Sequence, residues 1–119
     1  MAALQIKRVL HVDALANPEK VKIIGNYLTL LRRAYGWAAA HQDQWADIIA
    51  KDIGVPAAFV HDQFARKSAP FELRPVTDAA IKSQEEVASV FAKAGQLQHS
   101  VDVPALWDDR FNRIIEKAL

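Results

Sequence analysis

Cysteine is absent from the 119 residues, which excludes disulfide scaffolds, zinc ribbons and thiol chemistry. The compartment stays open, because an oxidising one does not require disulfides. Glycine is scarce, at four well-separated positions, so there is no glycine-rich loop to cradle a phosphate. Excess charge is also missing: the formal net charge is +1, too small for a strong pull toward nucleic acid or an acidic membrane. No stretch approaches the ~20 apolar residues of a membrane span, so direct membrane insertion is not expected. Near the start, Lys7 and Arg8 interrupt the apolar residues, and no signal peptide is visible.

What is present is ordinary globular material, 51% apolar and 24% charged. The length suits a single helical domain over residues 1–119, with a folded surface of roughly 6,400 Å². The spacing of apolar residues predicts a mainly α chain of about five helices in a compact bundle. Residues 4–14 are ambiguous: Leu4, Ile6 and Val9 suit a short N-terminal strand, whereas Leu4, Arg8, His11 and Leu15 suit a helix.

Asn17-Pro18-Glu19 opens a long helix, with a cap, a proline at the first helical position and an acid at the positive end of the dipole. It is expected to run to about His41. Val21, Ile24, Leu28, Leu31 and Tyr35 make one apolar stripe, and Ile23, Tyr27, Leu30, Ala34 and Trp37 a second beside it. That arc is wider than a surface helix needs, so the helix is buried on two sides or meets a partner. Close packing at Gly25 and Gly36 would offset their cost of about 1 kcal/mol each. A second helix is expected over 43–53, with Trp45, Ile48, Ile49 and Ile53 on one face, ending at Gly54. Pro56 opens a third, about 56–67, with Phe59, Val60 and Phe64 inward. The two prolines between Ser68 and Val76 predict extended chain. Thr77 caps a fourth helix, about 78–94, whose Ala80, Ile81, Gln84, Val87, Ala88, Phe91 and Ala94 share a face, and Gly95 ends it. A last helix starts at Pro104, with Leu106 or Trp107, Phe111, Ile114 and Ile115 inward.

Chemistry is hard to find. The histidines at 11, 41, 61 and 99 fall on different elements, and ordinary surface or capping roles are the default. His41 closes the long helix. Glu85-Glu86 and Asp108-Asp109 are adjacent, so their side chains diverge and a solvated face is expected. The serines at 68, 83, 89 and 100 lack nucleophile-elbow glycines. Arg32 and Arg33 are expected to cover the core rim with their stems. Gln84 interrupts an apolar stripe. It forms a structural hydrogen bond or, as the one candidate ligand contact, faces a pocket. No catalytic residue, cofactor site or metal site stands out, and no enzyme is expected.

Three segments carry a family resemblance. The first is Asn17-Pro18-Glu19-Lys20 with Ala34-Tyr35-Gly36-Trp37-Ala38-Ala39-Ala40-His41 and Trp45-Ala46. The second is Gly54-Val55-Pro56. The third is Leu73-Arg74-Pro75-Val76-Thr77-Asp78 through Gln84, Val87-Ala88, Phe91 and Gly95 to Val101-Asp102-Val103, Trp107 and Arg110-Phe111-Asn112. In order and spacing they resemble the C-terminal part of periplasmic substrate-binding proteins of ABC transporters, in the aliphatic sulfonate, nitrate and taurine group. That group includes relatives of the thiamine-pyrimidine synthases. The resemblance covers about residues 6–115. It implies a fragment of a two-lobe α/β fold and non-catalytic solute capture for import. It also implies a periplasmic or extracellular location and an ABC permease as partner of the full-length protein. Small sulfonate-type ligands would bind only with the lobes that this stretch lacks. Helices that evolved to cover a sheet also predict self-association, through Tyr27, Leu30, Leu31 and Trp37. The rival expectation is an independent helical module for oligomerisation or protein interaction.

Overall fold

The computed structural model describes residues 4–5, 10–67 and 71–118. The elements run β1 (Leu4–Gln5), α1 (Val12–Ala16), α2 (Pro18–Ala40), α3 (Gln42–Ile53), α4 (Ala57–Ala65), β2 (Phe71–Glu72), α5 (Asp78–Lys93), a 3₁₀ turn (Pro104–Leu106) and α6 (Asn112–Lys117). The chain is mainly helical, as its apolar periodicity predicts. The ambiguous start resolves into both alternatives: a strand at Leu4–Gln5 and a short helix at Val12–Ala16. Ile6, Arg8 and Val9, and Ser68 to Pro70, lie outside the described residues.

The chain divides into two compact units. One holds Met1–Arg74 with Ile114–Leu119, the other Pro75–Arg113. In the first, Asn17 caps α2 by accepting from the backbone N–H groups of Glu19 and Lys20 at 3.0 and 3.2 Å. The helix ends at His41, whose Nδ1 lies 2.9 Å from the carbonyl of Trp37 and whose ring stacks on the Trp37 indole at 4.8 Å. A carbonyl only accepts, so this nitrogen carries the proton. Gly54, at φ 70°, ends α3 in the left-handed turn. Pro56 follows, and α4 folds back on α3 around a small core of Ala46, Ala50 and Val60, with Ile49 and Phe64 at its edge. Two alanines make this core small. Ile48, Ile53 and Phe59, expected inward, are exposed because the helices meet through their small residues instead.

β1 and β2 pair in parallel, Leu4 with Phe71 and Gln5 with Glu72. Lys67 spans the approach to β2, its ammonium 3.9 Å from the Phe64 ring centre and 4.0 Å from that of Phe71. Burial pulls the Lys67 pKa below its usual value.

In the second unit Thr77 caps α5, accepting from the Ala80 N–H at 3.2 Å. Gly95, at φ 71°, closes the helix, with the Gln96 N–H bonded to the Phe91 carbonyl at 2.9 Å. Asn112 fixes the chain just before α5. Its amide donates to the Val76 carbonyl and its oxygen accepts from the Val76 N–H, both at 2.8 Å. The single last helix expected from Pro104 is broken. Asp108 Oδ1 accepts from the Arg110 backbone N–H at 3.0 Å and from its Nε at 2.8 Å, a local turn that competes with helix. Phe111 and Ile115 are buried as expected; of the alternatives Leu106 and Trp107, Trp107 is the half-buried one and Leu106 is exposed, as is Ile114.

Candidate functional site

The long helix α2 carries the feature that most needs explanation. Leu28 is buried on one side of it. On the other, Ile23, Tyr27, Leu30, Ala34 and Trp37 are all exposed, Leu30 to 64%. Their spacing places them in one continuous stripe. The second stripe read from the sequence is therefore real, and nothing among the described residues covers it.

Beside the stripe runs an open apolar groove of about 390 Å³. Leu31, Ala34, Tyr35, Trp37 and Ala38 of α2 line it, with Trp45 of α3 as its far wall. Three of the four residues expected at an interface thus lie exposed on α2 (Tyr27, Leu30 and Trp37), and Leu31 is half-buried in the groove. The lining includes no cation. Its chemistry suits an apolar helix face or an aromatic ring, and by itself offers no charge to balance a strong-acid anion.

On α5, Val87, Val90 and Phe91 are also exposed, and only Ala80 of that helix is buried.

Gln84 is half-buried on α5 in the second unit and does not line the groove. The two arginines depart from expectation. Arg32 is buried rather than at the rim, and its guanidinium donates through Nη1 to the Leu73 carbonyl just beyond β2. Its buried Nε has no hydrogen-bond partner. Arg33 Nε reaches the Ala118 carbonyl at 3.2 Å. Both arginines therefore bind backbone carbonyls far away in sequence, a role that adjacency in the chain does not signal. Gly36 also corrects its expectation: a methyl group added there meets no atom within 4 Å, so close packing is not its reason.

A second polar feature joins α3 to α4. The His61 Nε2 lies 2.9 Å from Asp47 Oδ1, and its Nδ1 lies 3.4 Å from Asp43 Oδ1. Asp43 and Asp47 are one helical turn apart, which is why one ring can face both. Among the described residues no group of three His, Asp or Glu side chains is placed to hold a metal ion. No helix among them is long and apolar enough to cross a membrane. Set against family models, characterised proteins and solved structures, the chain matches none.

Proposed function

We propose that this chain is the C-terminal helical portion of a periplasmic substrate-binding protein for ABC import of sulfonate-type small molecules. It contributes scaffold rather than catalysis. The carrying observation is the uncovered stripe on α2, continued by the apolar groove against Trp45. A helix that closes its own core has one apolar face; this one has two, and the second fits a neighbouring layer. In the proposed parent that layer is a lobe of the binding protein, which also supplies the ligand pocket and the permease contacts. The order of motifs from Asn17-Pro18-Glu19 to Arg110-Phe111-Asn112 supports the same reading.

The test is calorimetry with taurine and ethanesulfonate. The 119-residue chain alone is expected to give no binding heat, and a product extended through the upstream reading frame to bind. Micromolar binding by the chain alone overturns the fragment reading. So does an upstream frame that encodes no α/β lobes.

The same stripe favours a second reading, an independent helical module that self-associates. Self-association is expected of both, so the upstream reading frame separates them: one that encodes α/β lobes rules the module out.

A further inference from the structure

The helix pair α3–α4 meets around a small buried core of Ala46, Ala50 and Val60, with Ile49 and Phe64 packed at its edge. Across it the imidazole of His61 stands between two carboxylates, one at each ring nitrogen, at 2.9 Å from Asp47 and 3.4 Å from Asp43. A neutral imidazole has one N–H. It can donate to one of these carboxylates only by turning a lone pair toward the other. The imidazolium donates to both. The geometry therefore matches one protonation state and is frustrated in the other.

We propose that Asp43, His61 and Asp47 form a proton-operated clamp on the α3–α4 pair, closed on both arms when His61 is charged and on one arm when it is neutral. This does not rest on the transport reading. From α3 the groups facing the ring are Asp43 and Asp47. On α4 the neighbouring Asp62 is turned to Arg66, 3.0 Å away. Among the described residues no basic side chain other than His61 is in ion-pair contact with either Asp43 or Asp47. The hydrogen bond to Asp47 is the largest influence on His61, partly opposed by desolvation. The charges of both aspartates add to it, and the pKa rises above its ordinary 6.5. A raised histidine pKa places the stabilisation below pH 6.5 and removes it as pH rises through the folded value. Asp43 and Asp47 remain exposed, with 96% and 65% of their side-chain surface open, so salt screens the clamp and its effect is local. The element it holds matters, because α3 carries Trp45, the far wall of the groove.

The test is NMR on the intact chain, following the His61 ring signals and amide-exchange protection in α4 between pH 5 and 8. His61 is expected to titrate above 6.5. Asp43→Asn and Asp47→Asn should each lower that midpoint, Asp47→Asn more. Protection factors in α4 should fall several-fold as His61 loses its proton, and should be flat with pH in His61→Gln. A midpoint at or below 6.5 in the unaltered chain overturns the proposal without any variant. A midpoint that ignores both asparagine substitutions overturns it too, as does protection that falls equally in His61→Gln.

Discussion

Replacing Gly36 by alanine separates a free helix face from a covered one. Gly36 lies inside α2, four residues before its last residue Ala40, with an ordinary helical backbone. Glycine there costs about 1 kcal/mol relative to alanine, because it has more freedom to lose on folding. A new methyl group meets no atom within 4 Å, so no steric penalty offsets the gain. Gly36→Ala is therefore expected to stabilise the chain by about 1 kcal/mol, a rise in Tm of about 4–8 °C for a cooperative unit of this size. Denaturant unfolding followed by far-ultraviolet circular dichroism reads this directly. Loss of stability in Gly36→Ala refutes the reasoning, since it means that atoms lie against the Gly36 face in solution. A loss that grows with protein concentration assigns those atoms to a second copy.

The remaining predictions concern other elements. Asn112→Ala removes two 2.8 Å hydrogen bonds to Val76 at once, and is expected to cost about 1–3 kcal/mol by denaturant unfolding; Asn112→Asp keeps the acceptor but turns a carboxylate oxygen toward the Val76 carbonyl, and is expected to cost at least as much. Leu30→Asp, at an exposed position, should leave the helical signal intact and shift any oligomer toward monomer by light scattering; an unchanged assembly removes the α2 stripe as the contact. Burial acts to raise the Asp108 pKa, but the side-chain and backbone bonds with Arg110 outweigh it and hold the carboxyl below its usual 3.8. A depressed carboxyl pKa gives stability that is full above 3.8 and is lost as pH falls through the folded value. An acid titration of Arg110→Gln should therefore be flatter than that of the unaltered chain. Together with His61 this predicts greatest stability between about pH 4 and 6.5, which a pH series of thermal melts checks.

Local signals in the sequence mapped well onto helix ends. Asn17-Pro18, Gly54, Thr77 and Gly95 mark boundaries in the structure within a residue or two, because caps and left-handed turns depend on near neighbours only. Apolar periodicity told which residues share a face but not which face is covered. Ile48, Phe59, Val87 and Phe91 have the right spacing and remain exposed, while Ala46, Ala50 and Ala80 are buried. Burial depends on what lies opposite, and a single helix does not encode that. The Asp43–His61–Asp47 contact was legible only in part. Asp43 and Asp47 are visibly a turn apart, but His61 comes from another helix, and its reach depends on the tight Gly54–Pro56 connection. The aromatics beside Arg32 in the sequence place it at the rim of a core, its stem covering them, whereas its guanidinium is buried. Its carbonyl partner lies 41 residues away, beyond any local pattern.

The parallel pair β1–β2 bears on the choice between fragment and module independently of α2. It pairs over two residues only, Leu4 with Phe71 and Gln5 with Glu72. Parallel strands normally lie inside larger sheets, covered by helices on both faces, and are longer than this. So short a pair cannot hold itself, and here neighbouring side chains brace it. Arg32 binds the Leu73 carbonyl next to β2, and Lys67 lies against Phe71. The brace has a cost, because Arg32 leaves its Nε buried and unpaired, a penalty of about 1–3 kcal/mol. An autonomous helical module gains little from keeping two strand residues at that cost. A segment that covers the edge of a parallel sheet gains a register for the strands it meets. The helix face and the strand pair thus favour the same kind of neighbour, an α/β layer. The sharpest trial of the fragment reading is whether amide protection at Phe71 and Glu72 rises when the upstream lobes are joined to this chain.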